Sequence, residues 1–303
     1  MPIRLPPISR RRFLSGSLAA GAGLLLPHQV LAAERVADPH RFVLLADTHV
    51  WEHTDREHSG VNPAIQFAKA REEYLRLDPF PAAAMIAGDC AFVEGQAKDY
   101  AALVELVRPV REVGLPIHFA LGNHDHRGNF WTAFPKQRPE DPPPVVDKHV
   151  SVIETPRANW FLLDSLQRTN HTPGRLGHAQ LAWLARALDA RADKPALVMA
   201  HHDPQPGDTA GSGLQDTDAL FDVLEPRKHV QAYFYGHTHC WKVSSHRGIH
   251  LVNLPTLVWL FDKSQPRGWI DARFAQDGIA LELHSLNRAH PKHGERVELS
   301  WHR

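Results

Sequence analysis

Gly122-Asn123-His124-Asp125 directly follows the strand-like run Ile117–Leu121, and this junction governs how the rest of the chain is read. A short run of core-type residues that breaks at glycine into amide, imidazole and carboxylate side chains is a strand carrying polar groups to a sheet rim. The same junction recurs four times. Phe42–Ala46 ends in Asp47-Thr48-His49, Ala83–Ala87 in Gly88-Asp89, Ala196–Ala200 in His201-His202, and Gln231–Tyr235 in Gly236-His237-Thr238-His239. In open α/β sheets, ligands collect outside the carboxyl ends of the strands. Five strands therefore deliver Asp, Asn or His to one edge, and glycine before three of the clusters lets the chain turn sharply there.

Around these strands the chain alternates apolar runs with amphipathic segments, the pattern of an α/β fold. Asn62-Pro63 reads as a cap and first-turn pair opening a helix to about Leu77. A second helix runs from about Gln96 to Val113, kinked at Pro109 and stopped by Gly114. Residues 126–148, with Pro135, Pro139 and Pro142-Pro143-Pro144, read as a long surface loop. Strands are expected at Val150–Ile153 and Trp160–Leu163, and helices at His178–Ala190 and Thr217–Leu224. The remainder reads as hairpins turning at Arg247-Gly248 and Asp277-Gly278. Nothing marks a boundary inside residues 40–303, which are expected to form one domain.

Each cluster alone is weak, because Asp-x-His also caps turns and a histidine after a strand is commonly just hydrogen-bonded. Together they offer more carboxylate and imidazole groups than the four a structural zinc takes. About seven ligands divide naturally between two ions that share a carboxylate, the clamp used for in-line displacement at phosphorus.

The order D-x-H, G-D, G-N-H-D, H and G-H-x-H resembles the calcineurin-like metallophosphoesterase superfamily, with its motifs spread over nearly all of the chain after residue 40. Gln180, Trp183 and Leu184 also match a helix often found ahead of the fourth motif. The resemblance implies an α/β fold built as a four-layer α/β/β/α sandwich, two mixed sheets flanked by helices. By matching position it implies that Asp47, His49 and His239 hold one metal, that Asn123, His201 and His237 hold the other, and that Asp89 bridges them. The implied reaction is hydrolysis of a small phosphoester by a bridging hydroxide at two divalent ions, manganese, iron or zinc. His124 would protonate the leaving oxygen or stabilise developing charge, and Asp125 would orient His124. Asp89 is followed by Cys90-Ala91-Phe92 rather than the Asp-Arg-Gly of protein serine/threonine phosphatases. Phe92 stands where purple acid phosphatases carry their iron-binding tyrosine. The pattern is closer to stand-alone bacterial phosphodiesterases, so a phosphodiesterase is favoured over a phosphomonoesterase. The alternative is a non-catalytic scaffold on the same fold that binds a partner protein. Such scaffolds typically lose ligands or the histidine of G-N-H, and here all are present.

Neighbouring residues have plainer expected roles. His202 contacts substrate or supports the loop; His53, His58, His171 and His178 are solvated. Cys90 and Cys240 are two buried thiols, though pairing between them is left open. Trp51 and Trp131 offer ring surface beside the ligand motifs for a base or an aryl leaving group.

The N-terminal residues read as an export signal. Ser9-Arg10-Arg11-Arg12-Phe13-Leu14 resembles the twin-arginine motif, a glycine-interrupted apolar stretch runs from Leu14 to Leu26, and Val30-Leu31-Ala32 offers a cleavage site. Residues 1–32 are thus expected to be a twin-arginine signal peptide, handled by the twin-arginine export machinery and placing the protein in the periplasm or outside the cell. The stretch is too short and glycine-rich for a lasting span, and no cysteine stands at the junction, so no stable membrane anchor is expected. Removing Arg4, Arg10, Arg11 and Arg12 leaves 30 Lys and Arg (34 less four) against 34 Asp and Glu, a net charge of −4. A mildly acidic body lacks the basic face of a nucleic-acid-coating protein.

Overall fold

Alternation of inward and outward apolar residues along β1 (Ala37–Leu45) sets the layering of the molecule. The computed structural model describes residues 35–204 and 211–302, so the twin-arginine segment at residues 1–32 lies outside the described residues. Residues Val36–Arg303 form one unit, and the fold is that of this unit. β1 runs parallel to β2 (Phe80–Ala87), which runs parallel to β3 (Ile117–Ala120). On the far side of β1, β10 (Gly268–Phe274), β11 (Gly278–Ser285) and β12 (Arg296–Ser300) continue the sheet antiparallel, in the order β12-β11-β10-β1-β2-β3.

The second sheet has the order β4-β5-β6-β7-β9-β8. Its centre is four parallel strands, β5 (Asn159–Leu162), β6 (Ala196–Met199), β7 (Val230–Tyr235) and β9 (Ile249–Asn253). The antiparallel strands β4 (Ser151–Glu154) and β8 (Lys242–His246) form its edges. Phe42, Leu44 and Ala46 of the first sheet pack against Trp160, Leu162, Met199 and Phe234 of the second, because a two-residue period puts every other side chain on one face. Val43 and Leu45 point the other way, onto helices α1 (Pro63–Tyr74) and α2 (Ala97–Glu112), through Phe67, Tyr74, Tyr100 and Leu103. The outer face of the second sheet carries Phe161, Val198 and Tyr233 against two further helices, α4 (His178–Asp189) and α5 (Thr217–Leu224). The result is the expected α/β/β/α sandwich, with both sheets mixed.

Local signals act as expected at several element ends. Asn62 Oδ1 accepts from the Ile65 amide at 3.0 Å with Pro63 in the first turn, and Gly114, at φ +79°, follows the end of α2. Pro109 sits inside α2, which continues through it. Arg247 and Gly248 both take positive φ, 49° and 82°, in the two-residue turn between β8 and β9.

Two expectations fail for visible reasons. Residues 126–148 are not all loop: α3 (Arg127–Ala133) and a 3-10 turn at Pro135–Gln137 occupy the first half. His126 caps α3 by accepting from the Asn129 amide at 3.2 Å, and Phe130 and Phe134 are buried beside Phe119. The prolines dominate only from Pro139 onward. The turn expected at Asp277-Gly278 spans Ala275, Gln276 and Asp277 instead, and Gly278 is the first residue of β11, paired with Ser300. Glycine is required there because a Cβ would strike the Leu299 carbonyl.

One stabilising element leaves no periodic signal in the sequence. Arg41 on β1 forms a two-point pair with Asp271 on β10, Nε to Oδ1 at 2.9 Å and Nη2 to Oδ2 at 2.8 Å, with both residues buried. Burial works to raise the Asp271 pKa, but hydrogen bonds from Arg41 and Arg273 outweigh it and hold the carboxyl below the usual range. Removing one partner of such a pair typically costs about 3–5 kcal/mol, because the other charge is left buried.

Candidate metal centre

Every polar cluster singled out in the sequence lies at the carboxyl end of a parallel strand, and the two sheets present these ends to a common point. Asp47 and His49 follow β1, Asp89 follows β2, and Asn123 and His124 follow β3. The second sheet supplies His201 after β6 and His237 and His239 after β7. Pairing of the first two strands continues into their loops, with the amides of Asp47, His49 and Val50 donating to the carbonyls of Gly88, Asp89 and Cys90 at 3.1, 2.9 and 2.9 Å.

The side chains converge closely enough to share cations. Asp47, His49 and His239 form one group whose ligand atoms all lie within 4.8 Å of one another; Asp47, Asp89 and His201 form another, and His201, His202 and His237 a third. Asp89 Oδ2 lies 3.2 Å from His201 Nε2 and 3.6 Å from His49 Nε2, between the two sets. Asp47 Oδ1 lies 3.4 Å from His239 Nε2 and 4.0 Å from His49 Nε2.

The donor set fits metal ions. His49 Nδ1 and Nε2 and Asn123 Oδ1 are buried polar atoms with no hydrogen-bond partner, a costly arrangement unless a cation takes them up. Burial pushes His49 down to about 3 against the pull of Asp89, so its imidazole is neutral, the form that binds metal. Burial also works to lower His201, yet Asp89 outweighs it and lifts the value to about 9. The carboxylates therefore draw positive charge to this point. Asp89 itself stays well below the usual carboxylate range, since His201 overcomes its burial.

Backbone carbonyls orient the imidazoles. A carbonyl can only accept, so the nitrogen facing it must carry the proton and the other is left for the cluster. His201 Nδ1 donates to Ala87 O at 2.9 Å and His239 Nδ1 to Trp259 O at 2.7 Å, leaving both Nε2 atoms toward the carboxylates. His237 is reversed: Nε2 donates to Ser212 O at 3.0 Å, and Nδ1 lies 3.2 Å from His201 Nε2. The carboxylates are held likewise, with Asp47 accepting from the His237 amide and Asp89 Oδ1 from the His124 amide at 2.8 Å.

This convergence is built on strained backbone. Asp47, His49, Asp89, His237 and His239 all take positive φ, between 40° and 69°, which non-glycine residues adopt rarely and mainly where function requires it. The preceding glycines admit the packed side chains. A Cβ on Gly236 would lie 2.5 Å from Asp47 Oδ2, and one on Gly122 would overlap Asp89 Oδ1.

Three supporting roles differ from expectation, and His202 takes one of its two expected roles. Asp125 does not hold the His124 ring: His124 Nδ1 donates to Val93 O at 2.7 Å, leaving Nε2 to the cleft. The Asp125 carboxylate instead ties the β2 and β3 loops together, accepting from the amides of Gly122, Cys90 and Ala91 and from Tyr100 Oη. Burial, and then the Asp89 charge, push Asp125 up to about 6 while these donors pull the other way. His202 is buried and supports the loops: Nε2 donates to Thr172 O and Nδ1 accepts from Ser165 Oγ, both at 2.8 Å. Cys90 is buried but Cys240 only partly so, and both are free thiols.

The third difference concerns the aromatic rim. Trp51 stacks on Phe92 and Trp131 donates to His149, and neither lines the cleft. Trp259 and Phe261 do, in a cavity of about 480 Å³ that also holds His49, Asp89, Asn123 and His124. Sequence reasoning missed both, because they lie beyond the last ligand motif in a segment of no regular structure. The run Trp259-Leu260-Phe261 was the only signal available.

A model of the calcineurin-like phosphoesterase family matches residues 40–241, two thirds of the chain and every proposed ligand. The chain belongs to this family. The phosphoesterase is accordingly a hydrolase of phosphoester bonds that depends on bound metal. It is 30% identical over 205 residues to a 3',5'-cyclic adenosine monophosphate phosphodiesterase CpdA of Pseudomonas aeruginosa, covering 65% of this chain and 68% of that one. The same-named protein of Haemophilus influenzae is 27% identical over 262 residues, 82% of this chain and 91% of the relative. Among solved structures, a dimetal phosphatase from Danio rerio superposes with a TM-score of 0.67 at 14% identity, covering 87% of the phosphoesterase and 99% of that chain. That likeness is one of fold.

Proposed function

We propose that the phosphoesterase hydrolyses phosphodiesters, with 3',5'-cyclic nucleotides as substrates, at two divalent cations. In this reading Asp47, His49 and His239 hold one cation, Asn123, His201 and His237 the other, and Asp89 touches both. The observation that carries it is the position of Asp89 Oδ2, within 3.6 Å of a histidine from each set. The names of the two relatives support the substrate class. Cations there supply the charge that ionises an attacking water at neutral pH and offsets the phosphoryl oxygens. Manganese, iron and zinc all suit imidazole and carboxylate ligands.

The chain's own residues do the rest. The cleft seats the phosphate between His49, Asp89, Asn123 and His124. His124, its ring fixed by Val93, presents Nε2 as the proton donor to the oxygen that leaves as the P–O bond breaks. Asp89 Oδ1 holds the His124 amide, so the proton donor and the bridging carboxylate keep one register. Asp125 and Tyr100 hold the loops beneath them. The test is turnover by the manganese-loaded mature protein of 3',5'-cyclic AMP and of 5'-AMP. Hydrolysis of the cyclic diester with little of the monoester is expected. Turnover of the monoester alone, or of neither with two ions bound, contradicts the proposal, and the latter favours a scaffold.

We also propose that residues 1–32 direct export through the twin-arginine machinery to the periplasm. The Arg10-Arg11 pair, the apolar stretch and Val30-Leu31-Ala32 support this. Replacing both Arg10 and Arg11 by lysine is expected to retain the protein, uncleaved, in the cytoplasmic fraction. Unchanged fractionation would contradict it.

A further inference from the structure

The chemistry above leaves one flank of the cleft without a role. Five large apolar side chains among the described residues are exposed, and one of them, Phe261 at 69% exposure, stands in the metal cleft. One face of its ring lies on His239, with centroids 4.4 Å apart and planes 18° from parallel. Trp259 stands next to it, its ring 4.5 Å from that of His49 and 5.6 Å from that of His239. His58 packs edge-on against Trp259 at 4.9 Å, and Phe92 lies behind at 6.3 Å.

The opposite flank has a different setting. His237, a proposed ligand, donates to the Ser212 carbonyl, and His202, the neighbour of the proposed ligand His201, donates to the Thr172 carbonyl; Thr172 and Ser212 line the same cavity. The cleft is therefore aromatic beside His49 and His239, and polar beside His201 and His237. An aromatic ring clamped on one face and exposed to solvent costs apolar exposure unless a ligand covers it. Held by His239, it loses little conformational freedom when something stacks on it.

We propose that Phe261, backed by His239, is the specificity-determining residue of this site: its open face stacks on a planar aromatic group borne by the phosphoester, a nucleobase or an aryl ring. This rests on the phosphodiesterase reading and adds what the site selects, aromatic over aliphatic esters. A phosphate seated at Asp89 and Asn123 is within one residue's reach of this wall, since Phe261 touches His239 and His239 faces Asp47. Aromatic stacking on a base tolerates any base, so preference among nucleotides should be weak.

Binding tests this separately from turnover. The manganese-loaded protein and its Phe261→Ala, Phe261→Leu and Phe261→Trp variants are titrated calorimetrically with 5'-AMP, 4-nitrophenyl phosphate and ribose 5-phosphate, after metal content is shown to be equal. Phe261→Ala and Phe261→Leu are expected to weaken 5'-AMP by roughly tenfold, leaving ribose 5-phosphate as in the parent, while Phe261→Trp keeps the preference. Loss with 5'-AMP but not 4-nitrophenyl phosphate identifies a nucleobase as the stacked group; loss with both identifies any aryl ring. Equal weakening of 5'-AMP and ribose 5-phosphate would overturn the proposal, since Phe261 would then act only by supporting His239. No change with either aromatic ligand, or no preference for 5'-AMP in the parent, would overturn it too. Failure of the phosphodiesterase reading shows instead as absent cyclic-nucleotide turnover and does not alter these binding ratios.

Discussion

Asp89→Asn is expected to lower turnover by on the order of a thousandfold or more and to reduce bound metal below two ions per chain. The substitution keeps the side chain's shape, so the effect isolates charge. Asp89 Oδ2 lies 3.2 Å from His201 Nε2 and 3.6 Å from His49 Nε2, between the two histidine sets. An amide there would offer at most one neutral oxygen and would turn an N–H toward groups that need an acceptor. Removing a single preorganised group that stabilises charge already costs about 10²–10³ in rate, and here the same residue also holds the cations. Elemental analysis and steady-state kinetics on the folded variant check this. Full activity with two ions retained would remove Asp89 from the centre.

His124→Ala gives the second large effect, and its pattern matters more than its size. A fall in kcat of roughly 10²–10⁴ is expected on a cyclic nucleotide, typical of losing a proton-transfer group. Both cations should be retained. The bond from residue 124 to Asp89 is made by the backbone amide and survives the substitution. A nitrophenyl diester, whose leaving oxygen needs little protonation, should lose far less. Equal losses on the two substrates would show that residue 124 stabilises charge or positions substrate rather than giving a proton.

The fold was legible because its strands are unambiguous. Phe42–Ala46 and Ala196–Ala200 are continuous apolar runs, as parallel strands covered on both faces must be, and each stops at a polar cluster. The proposed ligands were legible for the same reason: the rule that strand ends carry the site needs only strand boundaries. What the sequence hid was set by tertiary contact. Val93 presents a carbonyl to His124, and no residue type predicts that. Asp125 was expected to act on its neighbour, whereas its four donors come from the loops after β2 and β3 and from Tyr100 of α2. Arg41 and Asp271 lie 230 positions apart, and each reads singly as a surface charge. Phe261 reads in the sequence as any loop phenylalanine, and only the tertiary fold lays it on His239. The proline-rich stretch concealed α3, because prolines at its far end outweighed Phe130, Trp131 and Phe134 at its start.

The backbone at the centre shows why these positions resist prediction. Five of the seven proposed ligands take left-handed φ, a conformation local propensity disfavours and only the surrounding ladder can impose. The glycines before them are legible as turn residues, but their second use is close approach, visible only once Gly236 meets Asp47 and Gly122 meets Asp89.

The central claim is that two cations share Asp89, and anomalous diffraction from manganese-loaded crystals tests it most directly. The account predicts two peaks, one contacted by Asp47, His49 and His239, the other by Asn123, His201 and His237, with Asp89 touching both. A single peak would contradict it, as would metal at the Asp271, Glu282 and His284 group with the five strand ends left bare.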